Sequence, residues 1–362
     1  VADRSLVIAV DGRELVGAPT GVGRYLRELL SVWMRQPTGD EWHVIVPALP
    51  ADAARFEGAV RCELEPGEAG TWWEQTRLRA AAARLRADVL FAPGYTAPIW
   101  APCPVVPTIH DVSYFAHPEW FPGVSGIRRR LITRLVAGRA PAVVTVSQFS
   151  AREIRDHLGV PLDRIHVAPN GAPPLDPPSD APRGPEVLYV GSIFNRRRIP
   201  LLLDAFAEVR LEVPDARLTL VGDNRTSPRI DPVREIAARR LTGAAEWLEY
   251  VDDETLGGLY RRARVFAFLS EYEGFAMTPA EAIAAGAAPV LLDTEVAREI
   301  YGDGARLVPP SARAIAAAIV PLLRDAGAWR AAIDAGRRRL LRYSWSDSAG
   351  IVRQALAKAA GR

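Results

Sequence analysis

Two Rossmann-like, doubly wound parallel-sheet domains are the architecture this α/β sequence predicts. Three observations carry that expectation: a length of 362 residues, a strand–helix alternation that runs the whole chain, and a proline-rich break near the middle. The length suits two domains better than one.

Short apolar, β-branched runs mark the strands. In the first half they are Leu6–Val10, His43–Pro47, Asp88–Ala92, Val105–Ile109, Ala142–Val146 and Ile165–Ala168. In the second half they are Glu186–Val190, Arg217–Val221, Glu246–Val251, Arg264–Leu269 and Ala288–Leu292. Helical patterns fall between them, among them Val22–Met34, Trp72–Arg86, Leu201–Val213 and Ser311–Val320. Such alternation predicts parallel sheets with helices on both faces. The stretch Ala172–Pro185 holds too many prolines for a helix or sheet interior and reads as a linker. The expected division is residues 1–175, residues 176–345, and a last helical segment, 346–362, packing across both domains. Two α/β halves so joined are expected to set a cleft between the carboxyl ends of two sheets, the edge where open α/β sheets bind ligands.

Composition excludes several chemistries. A net charge of +2 leaves no nucleic-acid footprint. Two cysteines, Cys62 and Cys103, lie far apart, so neither a disulfide scaffold nor a Cys-rich zinc site is expected. Lys358 is the only lysine. A P-loop and Schiff-base chemistry both need a suitably placed lysine. Any anionic ligand therefore falls to arginine, histidine or backbone N–H groups. The start of the chain runs from Asp3-Arg4 into an apolar strand without a signal-peptide pattern, and no apolar run reaches the length of a membrane span. A cytoplasmic location is the expectation.

Four segments carry candidate chemistry. The first is Glu273-Gly274-Phe275-Ala276-Met277-Thr278-Pro279-Ala280-Glu281, between a buried strand and a helix. Thr278 is placed to be the N-cap, Pro279 the first helical residue, and Glu281 the partner in a capping box. That reading leaves Glu273 and Gly274 unexplained. An acidic loop before a helix N-terminus suits a ligand with both hydroxyls and phosphate. The second is Tyr189–Arg198, where a strand ends at Gly191 and Arg196, Arg197 and Arg198 follow. These are either a solvated basic loop or a guanidinium clamp for a diphosphate. The third is Pro19-Thr20-Gly21-Val22-Gly23-Arg24-Tyr25. It departs from the dinucleotide fingerprint, because Leu26 stands where the third small residue belongs. The fourth is His110-Asp111 at a strand's carboxyl end.

Together these residues resemble the retaining glycosyltransferases of family four, which have the GT-B fold. The E-x7-E pair Glu273 and Glu281 is the most specific mark. The stretch from Gly191 to Phe206 is similar to that family's donor-phosphate loop and following helix. The segments 21–25, 108–111, 146–150, 169–171 and 299–305 also match, in order along nearly the whole chain. The resemblance implies that Glu273, with the Gly274, Phe275 and Ala276 backbone, contacts donor-sugar hydroxyls. It implies that Glu281 holds the ribose and that Arg196 and Arg197, beside Gly191 and Thr278, neutralise the diphosphate. Gly21 and Gly23 would shape the facing loop, and His110 would sit near the transferred sugar. Arg24 and Asp111 would lie on the acceptor side, and Tyr250 and Val251 beside the base. This chain has arginine where the family commonly has Arg then Lys, so the point charge becomes a planar fork.

The resemblance further implies retention at C1, by front-side attack. No metal and no cofactor are expected beyond the nucleotide-sugar co-substrate, with GDP-mannose favoured over a UDP-sugar. Asp252-Asp253-Glu254 reads as a helix cap rather than a metal site. A glycan or lipid-linked acceptor is expected. A basic, partly amphipathic segment, Arg128–Arg139, is either a solvated helix face or a weak peripheral contact with the inner face of an anionic membrane or with a phosphorylated acceptor. Rival readings are a nicotinamide-dependent dehydrogenase, a GT-B nucleotide-sugar epimerase and an inactive binding subunit.

Overall fold

A computed structural model describes residues 5–17, 20–36, 39–53, 60–121, 123–175 and 183–362. Asp3-Arg4, Pro19 and much of the proline-rich linker lie outside the described residues. The chain divides into two compact units. Residues 1–171 and 343–362 form the first; residues 172–342 form the second. The expected borders fall a few residues from these.

The first unit is built on β1 (Val7–Asp11), β2 (Glu41–Val46), β3 (Val60–Leu64), β4 (Val89–Ala92) and β5 (Val105–Pro107), in the order β3-β2-β1-β4-β5. Every pairing is parallel. A Thr108↔Val144 bridge extends the sheet to β6 (Val143–Thr145) and β7 (Ile165–Val167). β3 was not expected from the sequence. Its Arg61, Cys62 and Glu63 break the apolar run, as suits an edge strand.

The last helix, Trp345–Ala359, belongs to this unit. Its Ala349, Val352, Ala355 and Leu356 join the core with Ile8, Leu26, Leu29 and Val44. Trp33 Nε1 donates to the Ala349 carbonyl at 3.2 Å. Trp345 packs on Gly171, where a Cβ would come within 2.3 Å of the Trp345 backbone nitrogen. Glycine at 171 is thus a requirement of helix docking.

The second unit holds β8 (Glu186–Val190), β9 (Arg217–Val221), β10 (Ala245–Leu248), β11 (Val265–Phe268), β12 (Ala288–Leu292) and β13 (Arg306–Val308). Their order is β10-β9-β8-β11-β12-β13, again all parallel. β13 is short, and a sequence pattern of three residues is too brief to register.

In both units the winding reverses once. The first and fourth strands of each sheet, β1 with β4 and β8 with β11, are neighbours although two strands separate them in sequence. Loops leaving the carboxyl ends of such a pair diverge to opposite faces of the sheet and leave a crevice between them.

Candidate active site

At the second unit's switch point the loop after β8 meets the loop after β11. Arg197 ends a short 3₁₀ turn, Asn195–Arg197, and its Nη2 lies 3.0 Å from Glu273 Oε1. Ser270 Oγ donates to the same Oε1 at 2.7 Å. Both partners thus hold one oxygen of Glu273 and leave Oε2 to a further donor. The Arg197 guanidinium also lies 4.7 Å from the centroid of the Phe268 ring. Its Nε is buried without a hydrogen-bond partner among the described residues. Burial works against the charge of Arg197. The Glu273 carboxylate and then Tyr189 outweigh it, and the guanidinium pKa rises above its ordinary value.

Gly191 makes room for this. Its φ is +143°, and a Cβ there would stand 2.1 Å from Arg197 Nη1. Any side chain at 191 would push the guanidinium off Glu273. The neighbouring strand repeats the device: Gly222, also at positive φ, would drive a Cβ to 2.1 Å from the Gly191 carbonyl oxygen.

The three arginines separate by role. Arg197 turns inward to Glu273. Arg196 packs its guanidinium 4.4 Å from the Phe194 centroid. Arg198, at φ +50°, pairs with Glu271 at the surface.

The helix after Glu273 corrects one expectation. It runs Met277–Ala284, with Ala276 at the N-cap position and no side-chain cap bond. Thr278 and Pro279 therefore lie inside the first turn, and no capping box forms. The cause is Ala276, held in the left-handed region (φ 64°) with its carbonyl bonded by the Tyr301 hydroxyl. That turn brings the chain into the helix two residues early. Pro279 is still tolerated, since the N–H it lacks belongs to a turn whose donors have no intrahelical acceptor. Glu281 accepts from the Tyr260 hydroxyl at 3.0 Å. Phe275 is buried behind the loop. Ser270, Glu273, Ala276, Leu292, Thr294 and Tyr301 line a shallow recess.

Tyr250 and Val251 follow β10 on the same carboxyl edge. β9 separates β10 from β8, so these residues stand off the Arg197–Glu273 pair by about two strand spacings, ~10 Å. Tyr250 is 79% exposed. Asp252 caps the next helix by accepting from Thr255 N at 2.7 Å, as its sequence suggested.

The first unit's switch point is arranged differently. His110 Nε2 donates to the Pro93 carbonyl at 2.8 Å, which fixes the tautomer with Nδ1 unprotonated. The ring meets Tyr25 edge-on at 4.8 Å. Burial holds the His110 pKa below its ordinary value, so the ring is neutral at pH 7. Asp111 accepts from Ser113 N at 2.8 Å and from the Tyr95 hydroxyl at 3.1 Å. Thr20 caps helix Gly21–Arg35 by accepting from Gly23 N at 2.9 Å. A Cβ on Gly23 would come within 2.2 Å of the Glu14 carbonyl oxygen, so close packing accounts for this glycine. Gly21 and Arg24 are exposed on the same turn.

The second half of the chain, residues 177–339, matches the model of "Glycosyl transferases group 1", and residues 19–174 match "Glycosyltransferase Family 4". An O-antigen chain mannosyltransferase B of Escherichia coli is 31% identical over 67% of this chain and 67% of its own length. The chain belongs to the family-four glycosyltransferases. A phosphatidyl-myo-inositol mannosyltransferase of Mycolicibacterium smegmatis is 33% identical over 58% of this chain. A glycogen synthase of Mycobacterium tuberculosis is 28% identical over 69% of it. The match spans 55% and 62% of the length of these last two relatives. Among solved structures, Anabaena HepE in complex with UDP and glucose superposes with a TM-score of 0.75 at 19% identity, covering 98% of this chain and 100% of that one. The lipopolysaccharide glycosyltransferase WaaG gives 0.71 at 14% identity, over 97% and 99%. These likenesses establish the GT-B fold, two Rossmann-like domains.

Sequence reading of this family-four glycosyltransferase passed over three features of its sites. Ser270 is one, although a small polar residue closing a buried strand was a signal. Gly222 is another; Val221-Gly222-Asp223 repeats the pattern of Val190-Gly191-Ser192. The third is a buried ion cluster after β1. Arg13 lies 2.9 Å from Asp11 and 2.5 Å from Glu74, with Thr96 Oγ1 donating to Glu74 at 2.5 Å. Charged residues immediately after an apolar strand, Asp11 and Arg13, were the legible part of it.

Proposed function

We propose that this chain transfers a hexosyl group, mannose favoured, from a nucleoside-diphosphate sugar to a hydroxyl of a glycan or lipid-linked acceptor, with retention at C1 and without a metal ion. GDP-mannose is the favoured donor over a UDP-sugar. The observation that carries this reading is the Arg197–Glu273–Ser270 constellation beside the amino end of helix Met277–Ala284. Mannosyltransferase relatives support the sugar. The UDP and glucose bound by the Anabaena neighbour support a nucleotide-sugar donor.

Each residue has a task that its chemistry fits. Glu273 Oε2 accepts a hydroxyl proton of the donor sugar. As the bond from C1 to the phosphate oxygen breaks, its electron pair leaves with the diphosphate. Arg197, with the Met277 and Thr278 N–H groups, meets that developing charge. Arg197 is already charged and buried, so little reorganisation is needed as the bond breaks. The acceptor oxygen bonds C1 on the face the phosphate leaves, and its proton passes to a departing phosphate oxygen. His110, neutral with Nδ1 free to accept, is suited to a hydroxyl near the transferred sugar. Metal independence rests on the guanidinium and helix end supplying the charge a divalent ion otherwise brings.

The test is transfer and donor hydrolysis with GDP-mannose and UDP-glucose, in buffer and in chelator. Arg197→Met and Glu273→Ala should each lower kcat/KM by about 10²–10³ per folded molecule, with the stability lost from the broken buried pair measured separately by urea denaturation. Equal turnover in wild type and Glu273→Ala would sink the proposal. An inverted product anomer would overturn retention, and loss of turnover in chelator would overturn metal independence. A thermal-shift comparison of GDP with UDP fixes the base, because a ligand that binds only the folded state raises its melting point.

A further inference from the structure

Helix Gly123–Arg139 is apolar on two opposite sides. One side is accounted for: Ile132, Thr133, Val136 and Ala137 are buried within the first unit. The other is not. Val124, Ile127 and Leu131 are 79%, 60% and 58% exposed. Their spacing, i, i+3 and i+7, puts them on a single stripe. Trp100, 68% exposed, stands at the far end of the helix, where the Arg139 guanidinium stacks 4.7 Å from its ring centroid. Single exposed apolar side chains are ordinary; a stripe of three on one helix, with an exposed indole packed at that helix's end, is not.

The charges on this helix are all of one sign. It carries five arginines and no acid. Three also serve the fold: Arg130 donates to the Tyr114 carbonyl at 3.2 Å, Arg129 lies 5.8 Å from the Tyr114 centroid, and Arg134 donates to the His157 carbonyl at 3.2 Å and lies 5.5 Å from the Phe115 centroid. Arg128 makes no hydrogen bond or ion pair among the described residues. At 100° per residue, Arg128 and Arg139 fall on one flank of the stripe and exposed Arg134 on the other. An apolar strip bracketed by guanidinium groups is complementary to a surface with a negative face and an apolar interior. Anionic lipid bilayers supply both. A second copy of this chain is a poor fit, because a two-fold contact along the stripe would set arginines against arginines.

We propose that this stripe docks the protein peripherally on an anionic lipid bilayer. Val124, Ile127, Leu131 and Trp100 enter the headgroup region, and Arg128, Arg134 and Arg139 pair with lipid phosphates. The helix lies in the interface plane; no helix among the described residues is long and apolar enough to cross a membrane. All of these residues belong to the other unit from the Arg197–Glu273 pair, so the surface and the donor chemistry can be tested apart.

The test is flotation of the full chain with phosphatidylglycerol–phosphatidylcholine vesicles and with phosphatidylcholine alone, at low and high salt. Wild type should float with the anionic vesicles and be released by salt. The double variant Ile127→Glu, Leu131→Glu should lose at least about 30-fold in partition, and Arg128→Gln roughly fivefold. Both should keep donor hydrolysis within about twofold and an unchanged melting temperature. Absence of flotation at low salt, or flotation that the double variant leaves intact, would overturn the proposal. So would a dimer in solution that the double variant renders monomeric while vesicles are ignored, which would assign the stripe to a second copy.

Discussion

The two switch points share a topology and differ in what they leave open. After β1, Arg13 is closed in by Asp11 and Glu74, and Glu74 is further held by Gln75 and Thr96. After β8, Arg197 meets Glu273 through one oxygen only, with its own Nε unpartnered and Oε2 open. A buried charge with all its partners inside the protein does structural work. One with a vacant donor and acceptor edge at a crevice is placed for a ligand. On the proposed function, the same loop position in two similar domains serves packing in one and chemistry in the other.

The largest expected effect breaks this comparison most directly. Arg13→Met removes one cation and leaves two carboxylates facing each other in the interior. Removing one partner of a buried ionic group costs about 3–5 kcal/mol. Urea denaturation should show that loss, with the donor affinity of the surviving folded protein unchanged. If Arg13→Met instead spared stability and abolished donor hydrolysis, the loop after β1 would be chemical as well.

A second expectation concerns pH. Burial chiefly, opposed by Arg13, raises the Asp11 pKa to about 6. A carboxyl raised in the folded state binds its proton more tightly there than in the unfolded chain. Its contribution is therefore full below about pH 4 and is lost as pH rises to about 6. Stability measured by urea melts across that window should fall by up to about 3 kcal/mol from this group. His110 acts in the opposite sense, since its lowered pKa gives stability above about pH 6.5 that is lost on acidification. Asp11→Asn should remove the first trend and leave the second. A wild-type profile that Asp11→Asn does not alter would show that the cluster carries no strained proton equilibrium.

How much of this could be read from the sequence follows from range. The β8 loop, its arginines and Glu273 were legible because each sits within a few residues of a strand end, and strand ends are marked by local apolar runs. The partition among Arg196, Arg197 and Arg198 was not legible. It depends on Gly191 and Phe268 clearing and floring a place for one guanidinium, and Phe268 arrives some seventy residues later. Thr278 misled for a related reason. Its local pattern is a good cap, but Tyr301 fixes the carbonyl of Ala276 from another helix–strand junction and moves the helix start. Glu74 was invisible to the same degree, because nothing near it in sequence hints at Arg13.

Ser270 offers the finest discrimination between the two regions. Its hydroxyl occupies the Glu273 oxygen that Arg197 also holds. Two donors on one oxygen restrain the carboxylate and leave Oε2 for another donor. Ser270→Ala removes one charge-assisted bond, worth about 1.5–3 kcal/mol at most, and frees the carboxylate to rotate. If Ser270 positions Glu273, kcat/KM for the donor should fall about tenfold, mostly in kcat, because aim matters more in the transition state than on first binding. Ser270→Thr keeps the hydroxyl and should restore most of the loss. A fall in KM terms alone, or no rescue by threonine, would mean that Ser270 merely fills space at the end of β11.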